Sequence, residues 1–242
     1  MNLILDVGNT RVKIAVYEHG SCIFCGKIGV ADFSKEIEKI FEKFPKIEYG
    51  IVSSVGFLGK TAINLLSNKC ALHVLSSNSK IPLQNKYATP STLGADRIAL
   101  AVAAYYSYAK QNTLVIDAGT CITYDMVDAT GAYLGGAISP GLHMRYEALY
   151  KQTSKLPLLE VTDFIDFIGN STEQSIHSGV INGVCIEIDG VIGQYLSRFT
   201  DLTIILTGGD AQFLSKRLKN TIFAHSKFLL EGLNYLLENN KS

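Results

Sequence analysis

The sequence predicts an α/β protein built from two related lobes, each with a mixed β-sheet flanked by helices. Three observations lead to this prediction. Residues 3–16 and 114–124 follow the same pattern, in which an apolar run ends in Asp-x-Gly, passes a threonine and continues as a strand-like segment. The acidic residues of the two copies, Asp6 and Asp117, lie close to half a chain length apart in a chain of 242 residues. In both halves, three strand-like segments precede alternating helical and strand-like patterns, so each copy predicts one sheet.

The first predicted lobe covers residues 1–110. Segments rich in apolar residues and bounded by turn residues predict its strands, at 3–6, 12–17, 22–28, 49–53 and 71–75. Apolar residues at helical spacing predict its helices, at 33–44, 58–66 and 95–109. The first of these helices stops before Pro45, which cannot continue it. A polar connector covers 76–93.

The second predicted lobe covers residues 111–242 and repeats this order. Its strands are predicted at 113–117, 122–127, 133–138 and 202–206. Its helices are predicted to begin at Pro140, Thr172, Asp210 and Lys227. The helix that begins at Thr172 is expected to continue to about Leu196.

The composition is that of a globular protein, with 47% hydrophobic and 18% charged residues. The 22 basic residues balance the 22 acidic residues, so the chain lacks the positive charge typical of nucleic-acid binding. No apolar run reaches the length needed to span a bilayer, and the N-terminus enters a strand without a signal-type segment. We therefore expect no nucleic-acid or membrane partner, and a cytoplasmic location.

The five cysteines do not form a disulfide or zinc framework. Cys22 and Cys25 form one CxxC pair, and a zinc site would need a second pair. Because residues at i and i+3 of a strand face opposite sides, we expect free thiols here.

The segment Asp6-Val7-Gly8-Asn9-Thr10 predicts a tight turn that could hold a phosphate group. Gly8 allows backbone N–H groups to approach an anion, Asn9 and Thr10 add donors, and Asp6 can hold a hydrated Mg²⁺. Lys13 on the returning strand adds positive charge. An ordinary hairpin turn is the alternative, and a single copy would favour it. The second copy at half-chain spacing favours the phosphate loop.

The second copy, Asp117 to Thr120, predicts a carboxylate ligand for a cation, with Thr120 donating to phosphate. Two glycine-rich segments follow, at 135–141 and 207–211. Their backbone could face an anion or lie against a nucleotide. Close packing of a strand against its neighbour is an equally good interpretation of 135–141 taken alone, and 207–211 taken alone is a weak signal.

Asp96 and Arg97 lie at the start of an otherwise apolar helix. An acidic residue in the first turn is favourable there, so a capping role for Asp96 is one interpretation. A cation is unfavourable at the same helix end, which favours an anionic ligand for Arg97.

Taken together, these motifs resemble the type III pantothenate kinases, a family in the superfamily of actin, hexokinase and the Hsp70 ATPase domain. The resemblance covers most of the chain. Its motifs, in chain order, are 6–10 with Lys13, 87–90, 94–97, 117–120, 135–141, 148–149 with 156–157, 170–172 and 207–211. It implies a duplicated actin-like (ribonuclease H-like) fold with a nucleotide cleft between the lobes.

The resemblance also implies an activity, the ATP-dependent phosphorylation of pantothenate to 4'-phosphopantothenate, with Mg²⁺ and a monovalent cation, K⁺ or NH₄⁺. The residues it assigns to ATP are Asp6, Val7, Gly8, Asn9, Thr10, Arg11, Val12, Lys13 and Thr120. Those it assigns to pantothenate are Tyr87, Gly94, Ala95, Asp96, Arg97 and Thr172. Asp96 is expected to be the base, and Asp117 is expected to bind the monovalent cation. Family members are homodimers, and the substrate pocket is expected to use residues of both subunits.

Two other functions fit part of the sequence. One is a sugar kinase of the same superfamily, although the chain is short and lacks an obvious zinc-binding Cys/His cluster. The other is a non-catalytic transcription accessory factor. The presence of Asp6, Asp96, Arg97 and Asp117 argues against an inactive enzyme, and the neutral charge argues against direct DNA contact.

Overall fold

The computed structural model describes residues 1–8, 11–53, 58–76, 78–163 and 166–241. In chain order, the strands are β1 (Asn2–Val7), β2 (Arg11–Glu18), β3 (Ser21–Gly29), β4 (Tyr49–Val52), β5 (Ala71–Val74), β6 (Gln84–Asn85), β7 (Thr113–Ala118), β8 (Cys121–Val127), β9 (Ala132–Pro140), β10 (Thr203–Thr207) and β11 (Phe223–Ala224). The α-helices are α1 (Phe33–Lys43), α2 (Gly59–Ser67), α3 (Ala95–Ser107), α4 (Leu142–Gln152), α5 (Thr172–His177), α6 (Gly183–Leu196), α7 (Ala211–Ser215) and α8 (Phe228–Asn240).

The chain forms two compact units. The first contains Met1–Ser107 and the segment from Lys227 onward, and the second contains Tyr108–Ser226. The division differs from the predicted lobes in that α8 belongs to the first unit and that the second unit begins at Tyr108. The boundary between residues 110 and 111 therefore remains a sequence-based prediction.

Each unit contains the same sheet topology. In the first unit the strand order is β3-β2-β1-β4-β5, and in the second the corresponding strands follow one another as β9-β8-β7-β10-β11. The first three strands of each unit are antiparallel neighbours, and the last two pair in parallel. The mixed sheets flanked by helices confirm the predicted fold class. Asp6 and Asp117 occupy equivalent places, since each is the penultimate residue of the first strand of its unit.

The core of the first unit has helices on both sides of its sheet. Phe33, Ile37 and Ile40 of α1 are buried against apolar residues of β1 and β2, as the helical spacing predicted. Helices α3 and α8 pack against each other, and α8 also contacts β1, β2 and β4. Asn2 of β1 donates a hydrogen bond of 2.8 Å to Asn234 of α8, so a buried polar pair sets the position of this helix on the sheet.

The predicted helix at 172–196 is continuous in the structure but contains a π-helical segment, Ser178–Asn182, between α5 and α6. The sequence analysis did not predict the two-residue strands β6 and β11. No helix among the described residues is long and apolar enough to cross a bilayer.

The predicted orientation of the CxxC pair is wrong. A β-bulge places Cys22 opposite Tyr17 and Cys25 opposite Ala15, with Ile23 as the additional residue. Tyr17 and Ala15 face the same side of β2, so both cysteines also face one side. All five cysteines are free thiols, as expected, and no group of three potential metal ligands occurs among the described residues.

The close packing of α3 and α8 leads to a stability prediction. A Cβ atom on Gly232 would overlap the carbonyl oxygen of Ala99, whereas the helical Gly190 has open space around it. We expect Gly232→Ala to destabilise the protein by about 1–3 kcal/mol through overpacking. Gly190→Ala is the matched control, and we expect it to stabilise the protein by about 0.5–1 kcal/mol because glycine is unfavourable within a helix. Denaturant unfolding of both variants measures these differences, and equal effects would contradict the proposed contact.

Candidate functional site

The first acidic turn connects β1 and β2. Asp6 lies opposite Lys13 in the antiparallel ladder, and the Lys13 Nζ is 3.1 Å from Asp6 Oδ2. The Gly8 N–H donates to the carbonyl oxygen of Arg11 at 3.0 Å and closes the turn. Asp6 is mostly buried, with 15% of its side chain exposed, so the ammonium group of Lys13 compensates a carboxylate that is partly removed from water.

Not every candidate in this segment presents its side chain to a ligand. The side chains of Val7 and Val12 lie in the hydrophobic core of the first unit, which leaves only their backbone groups for binding. Arg11 is exposed at the start of β2. The candidates Asn9 and Thr10 lie outside the described residues.

Ser53 is a contact residue of this turn that the sequence analysis did not identify. It is buried directly after β4, and its Oγ donates to Asp6 Oδ1 at 3.0 Å. The Val7 N–H donates to Ser53 Oγ at 3.1 Å. One hydroxyl group therefore holds both the carboxylate and the backbone that follows it. The parallel pairing of β4 with β1 brings Ser53 here, and a serine at the carboxyl end of a predicted strand was the available signal.

The second acidic turn connects β7 and β8 and is one residue shorter than the first. Asp117 is half-buried and lies opposite Thr123 in β8 and Thr207 in β10. The Gly119 N–H donates to the carbonyl oxygen of Cys121 at 2.9 Å, and Thr120 is exposed at the tip. The turn thus presents a hydroxyl next to a carboxylate.

Two glycine-rich segments pack directly against this second turn. A Cβ atom on Gly141 would overlap the carbonyl oxygens of Gly119 and Thr120, and the Gly141 N–H donates to Thr120 O at 3.0 Å. A Cβ atom on Gly208, which has φ of +101°, would overlap Ala118 O and Asp117 Oδ1. These glycines therefore allow three backbone segments to meet at one place.

Asp210 is a second carboxylate near this turn and was not among the predicted site residues. Its N–H donates to Ala118 O at 2.9 Å. Burial raises the pKa of its carboxyl group above the usual range, and the charge of His143 partly opposes this effect. Sequence position alone could not reveal that burial.

In the first unit, the structure brings Tyr87 and Arg97 together. Arg97 is 5% exposed, and its guanidinium carbon lies 5.5 Å from the centre of the Tyr87 ring. Asp96, the second residue of α3, is exposed, and its Oδ1 accepts a hydrogen bond of 2.8 Å from the Arg97 N–H. A Cβ atom on Gly94 would overlap the same oxygen. Asp96 thus contacts a first-turn N–H from within the helix, not from the N-cap position, and its carboxylate stays accessible to a ligand.

Thr172 lies in the second unit, at the first position of α5, and is exposed. The Ser171 hydroxyl caps this helix by accepting a hydrogen bond of 3.3 Å from the Gln174 N–H. Thr172 lines a groove of about 1120 Å³, with α4 on one side and α5 and the π-helical segment on the other. Other residues lining it are Arg145, Leu149, Leu156, Ile176 and Val180.

The donor set fits a metal ion that remains largely hydrated. No group of three potential ligands occurs in the described part of the chain, so an ion at either turn would keep water or phosphate oxygens among its ligands. Mg²⁺ in nucleotide sites keeps several waters and is held by one or two carboxylates together with phosphate oxygens. Asp6 beside the first turn could hold Mg²⁺ in this way.

Comparison with solved structures shows the fold. A protein described as a Baf family transcriptional activator from Campylobacter jejuni is similar with a TM-score of 0.65, at 21% identity over 98% of both chains. A glucokinase from an Antarctic psychrotroph is similar with a TM-score of 0.55, at 13% identity over 98% of both chains. At these identities the similarity concerns the fold alone. The shared fold is the actin-like fold that the sequence motifs implied.

Comparison with sequences is more specific. A family model described as type III pantothenate kinase matches residues 2–194. A type III pantothenate kinase from Flavobacterium johnsoniae is 53% identical over 97% of this chain and 96% of its own length. Another, from Flavobacterium psychrophilum, is 50% identical over the full length of both chains. The motifs, the duplicated topology and these full-length matches agree, and the chain belongs to the type III pantothenate kinase family.

Proposed function

We propose that this protein transfers the γ-phosphoryl group of ATP to the primary hydroxyl of pantothenate and forms 4'-phosphopantothenate, the first step of coenzyme A synthesis. The observation that carries the proposal is the full-length similarity to relatives named type III pantothenate kinase, at 50–53% identity. The acidic turns and the Asp96-Arg97 pair supply the chemical groups that this reaction needs.

The nucleotide side of the reaction is assigned to the two acidic turns. Phosphoryl transfer passes through a loose transition state, so catalysis depends mainly on positioning and on neutralising charge. Asp6 would hold Mg²⁺ against the phosphates, and this ion supplies charge neutralisation when bound. Lys13, 3.1 Å from Asp6, adds a fixed positive charge, and Ser53 holds the carboxylate in one orientation.

The acceptor side is assigned to the start of α3. The exposed carboxylate of Asp96 would accept a hydrogen bond from the pantothenate hydroxyl and aim its oxygen at the phosphorus atom. In a loose transition state the proton leaves late, so a weak base suffices. The buried guanidinium of Arg97, held over the Tyr87 ring, would bind the pantothenate carboxylate or the developing phosphate charge.

Asp117 and Thr120 are assigned to a monovalent cation and to ATP, respectively. Asp117 lies between two threonines in its ladders, at Thr123 and Thr207. A carboxylate with hydroxyl-bearing residues on both neighbouring strands suits a weakly charged cation such as K⁺ or NH₄⁺.

We also infer that the protein is a homodimer and that Thr172 of one subunit completes the substrate site of the other. The groove beside Thr172 lies close to two of the most exposed apolar side chains, Phe167 and Ile168, which are 70% and 81% exposed. Exposed apolar residues next to a groove are typical of an interaction surface, and a second copy of this chain is the occupant we propose.

A coupled ADP-release assay with pantothenate, Mg²⁺ and K⁺ tests the function directly. Pantothenate should support turnover. A panel containing glucose and N-acetylated sugars is the comparison, and turnover with a sugar in place of pantothenate would assign the protein to the sugar kinases.

For Asp96→Asn, we expect kcat to fall by about 10²–10⁴-fold, the usual contribution of a positioned acid–base group. The amide keeps the shape of the side chain but loses the charge that orients the hydroxyl. Asp163→Asn is the matched control because Asp163 is an exposed carboxylate of the second unit. Steady-state kinetics measure the effect, and wild-type turnover in Asp96→Asn would rule out the role.

For Ser53→Ala, we expect KM for ATP to rise by about 10–100-fold, as is typical when a residue that orients a ligand-binding group is lost. The substitution removes the hydrogen bond to Asp6 and leaves the Val7 N–H without its partner. The control is Ser197→Ala, which removes an exposed hydroxyl at the end of α6. If KM for ATP is the same in both variants, Ser53 does not position Asp6 for ATP.

Replacing K⁺ by Na⁺ at constant chloride concentration should lower the rate of the wild-type enzyme. Na⁺ is smaller and more strongly hydrated than K⁺, so it loses more hydration energy when it enters the site. The Asp117 carboxylate and the neighbouring hydroxyl oxygens do not replace that energy in full. Asp117→Asn should remove most of the difference between the two ions. Equal rates in both salts for the wild type would contradict the cation site.

A further inference from the structure

The junction between β9 and α4 sets the position of the second acidic turn. Gly141 is the N-cap of α4, and its N–H donates to the carbonyl oxygen of Thr120 at 3.0 Å. Because no space exists for a side chain at Gly141, this contact is backbone against backbone. A displacement of the junction would therefore displace Thr120 and the turn that begins at Asp117.

Three side chains hold this junction from the other side. The Ser139 Oγ donates to Glu187 Oε1 at 2.5 Å, and Arg145 Nη2 donates to Ser139 Oγ at 2.8 Å and to Glu187 Oε2 at 2.6 Å. Arg145 Nε donates to the carbonyl oxygen of Pro140 at 2.9 Å. Arg145 thus contacts the last two residues of β9, Ser139 and Pro140, while Glu187 contacts Arg145 and Ser139. We refer to Ser139, Arg145 and Glu187 as the junction triad.

Glu187 provides the fixed point of the junction triad. It lies on α6, whose residues Val184, Ile188 and Ile192 are buried in the core of the second unit. The side chains of Arg145 and Glu187 are 23% and 31% exposed, so the ion pair is partly shielded from water. Burial, together with the neighbouring Glu187 carboxylate, raises the pKa of Tyr124, which keeps that phenol neutral.

The geometry requires these residue types. A guanidinium group has separate donors in a fixed planar arrangement, which lets Arg145 contact Pro140, Ser139 and Glu187 together. Lysine would supply the charge but only one nitrogen atom. Glutamine at position 187 would keep the volume of the side chain. If its amide oxygen accepted the hydrogen bond from Ser139, its NH₂ group would face the guanidinium group of Arg145, and both groups are donors.

We propose that Arg145 and Glu187 are positioning residues for nucleotide and cation binding, and that they act by holding the β9–α4 junction against the turn from Asp117 to Thr120. This inference rests on the proposed function insofar as that function assigns the turn to ATP and a monovalent cation. It extends the site to two residues that do not themselves contact the ligands.

The deciding variants are Glu187→Gln and Arg145→Lys. Asp163→Asn is the matched control because it removes an ion pair of 2.9 Å, with Arg217, from the same unit. Affinity for a fluorescent ATP analogue is measured by equilibrium titration, which does not need turnover. KM for ATP, KM for pantothenate, the K⁺ concentration for half-activation, kcat and the midpoint of thermal unfolding are measured in parallel.

Both deciding variants should bind the ATP analogue about 10–100-fold more weakly than the wild type, as is typical for residues that orient ligand-binding groups. The K⁺ concentration for half-activation should also rise. In Glu187→Gln, KM for pantothenate should stay at the wild-type value, and saturating ATP and K⁺ should restore kcat. Asp163→Asn should leave all these constants unchanged.

Two results would overturn the inference. One is wild-type affinity for the analogue in Glu187→Gln with only a lower thermal midpoint. The other is a fall in kcat together with a rise in KM for both ATP and pantothenate, which indicates general destabilisation. If Glu187→Gln does not fold, Ser139→Ala provides the same comparison, because it removes only the hydroxyl between the two charged groups.

The outcomes also separate this inference from the proposed function. A wild-type protein that binds the ATP analogue but does not phosphorylate pantothenate would contradict the function, whereas the effect of Glu187→Gln on analogue affinity would still decide the role of the junction triad. Normal pantothenate kinase activity with unchanged nucleotide affinity in both variants would contradict the triad alone.

Discussion

Direct contact between backbone segments around Asp117 is the constraint on which the second half of the site depends. Gly141 approaches the turn from the end of β9, and Gly208 approaches it from the end of β10. Neither position has space for a methyl group, so the turn is enclosed by main-chain atoms whose spacing no side-chain rotamer can adjust. The backbone of the turn from Asp117 to Thr120 consequently has little freedom to move, which reduces the entropy that a bound ion or phosphate would have to remove.

The two halves use one topology for different electrostatic tasks. Asp6 and Asp117 occupy equivalent strand positions, but the residue opposite Asp6 is Lys13, whereas the residues opposite Asp117 are Thr123 and Thr207. The first turn therefore combines a carboxylate with the positive charge of Lys13 and the Ser53 hydroxyl, and the second has a threonine on each strand next to its carboxylate. This asymmetry within a duplicated scaffold fits the division of roles that we propose, with phosphate and Mg²⁺ at the first turn and a monovalent cation at the second.

The sequence predicted the strands and helices well because their periodicity is local. It did not predict contacts that depend on which strands pair. Ser53 reaches Asp6 only through the parallel pairing of β4 with β1, and Glu187 reaches the β9–α4 junction only through the packing of α6. The orientation of Cys22 and Cys25 was wrong because an additional residue in β3 interrupts the alternation of faces. The convergence of Asp6 and Asp117 on one nucleotide stays a prediction.

The position of α8 has a consequence for the order in which the protein matures. Residues 108–226 form the second unit from one continuous stretch, so that unit has all its residues once the ribosome has released position 226. The first unit lacks α8 at that moment, and its sheet still lacks the contacts that α8 makes with β1, β2 and β4. Domains commonly fold from the N-terminus during synthesis. Here the N-terminal unit is the last to acquire a complete core.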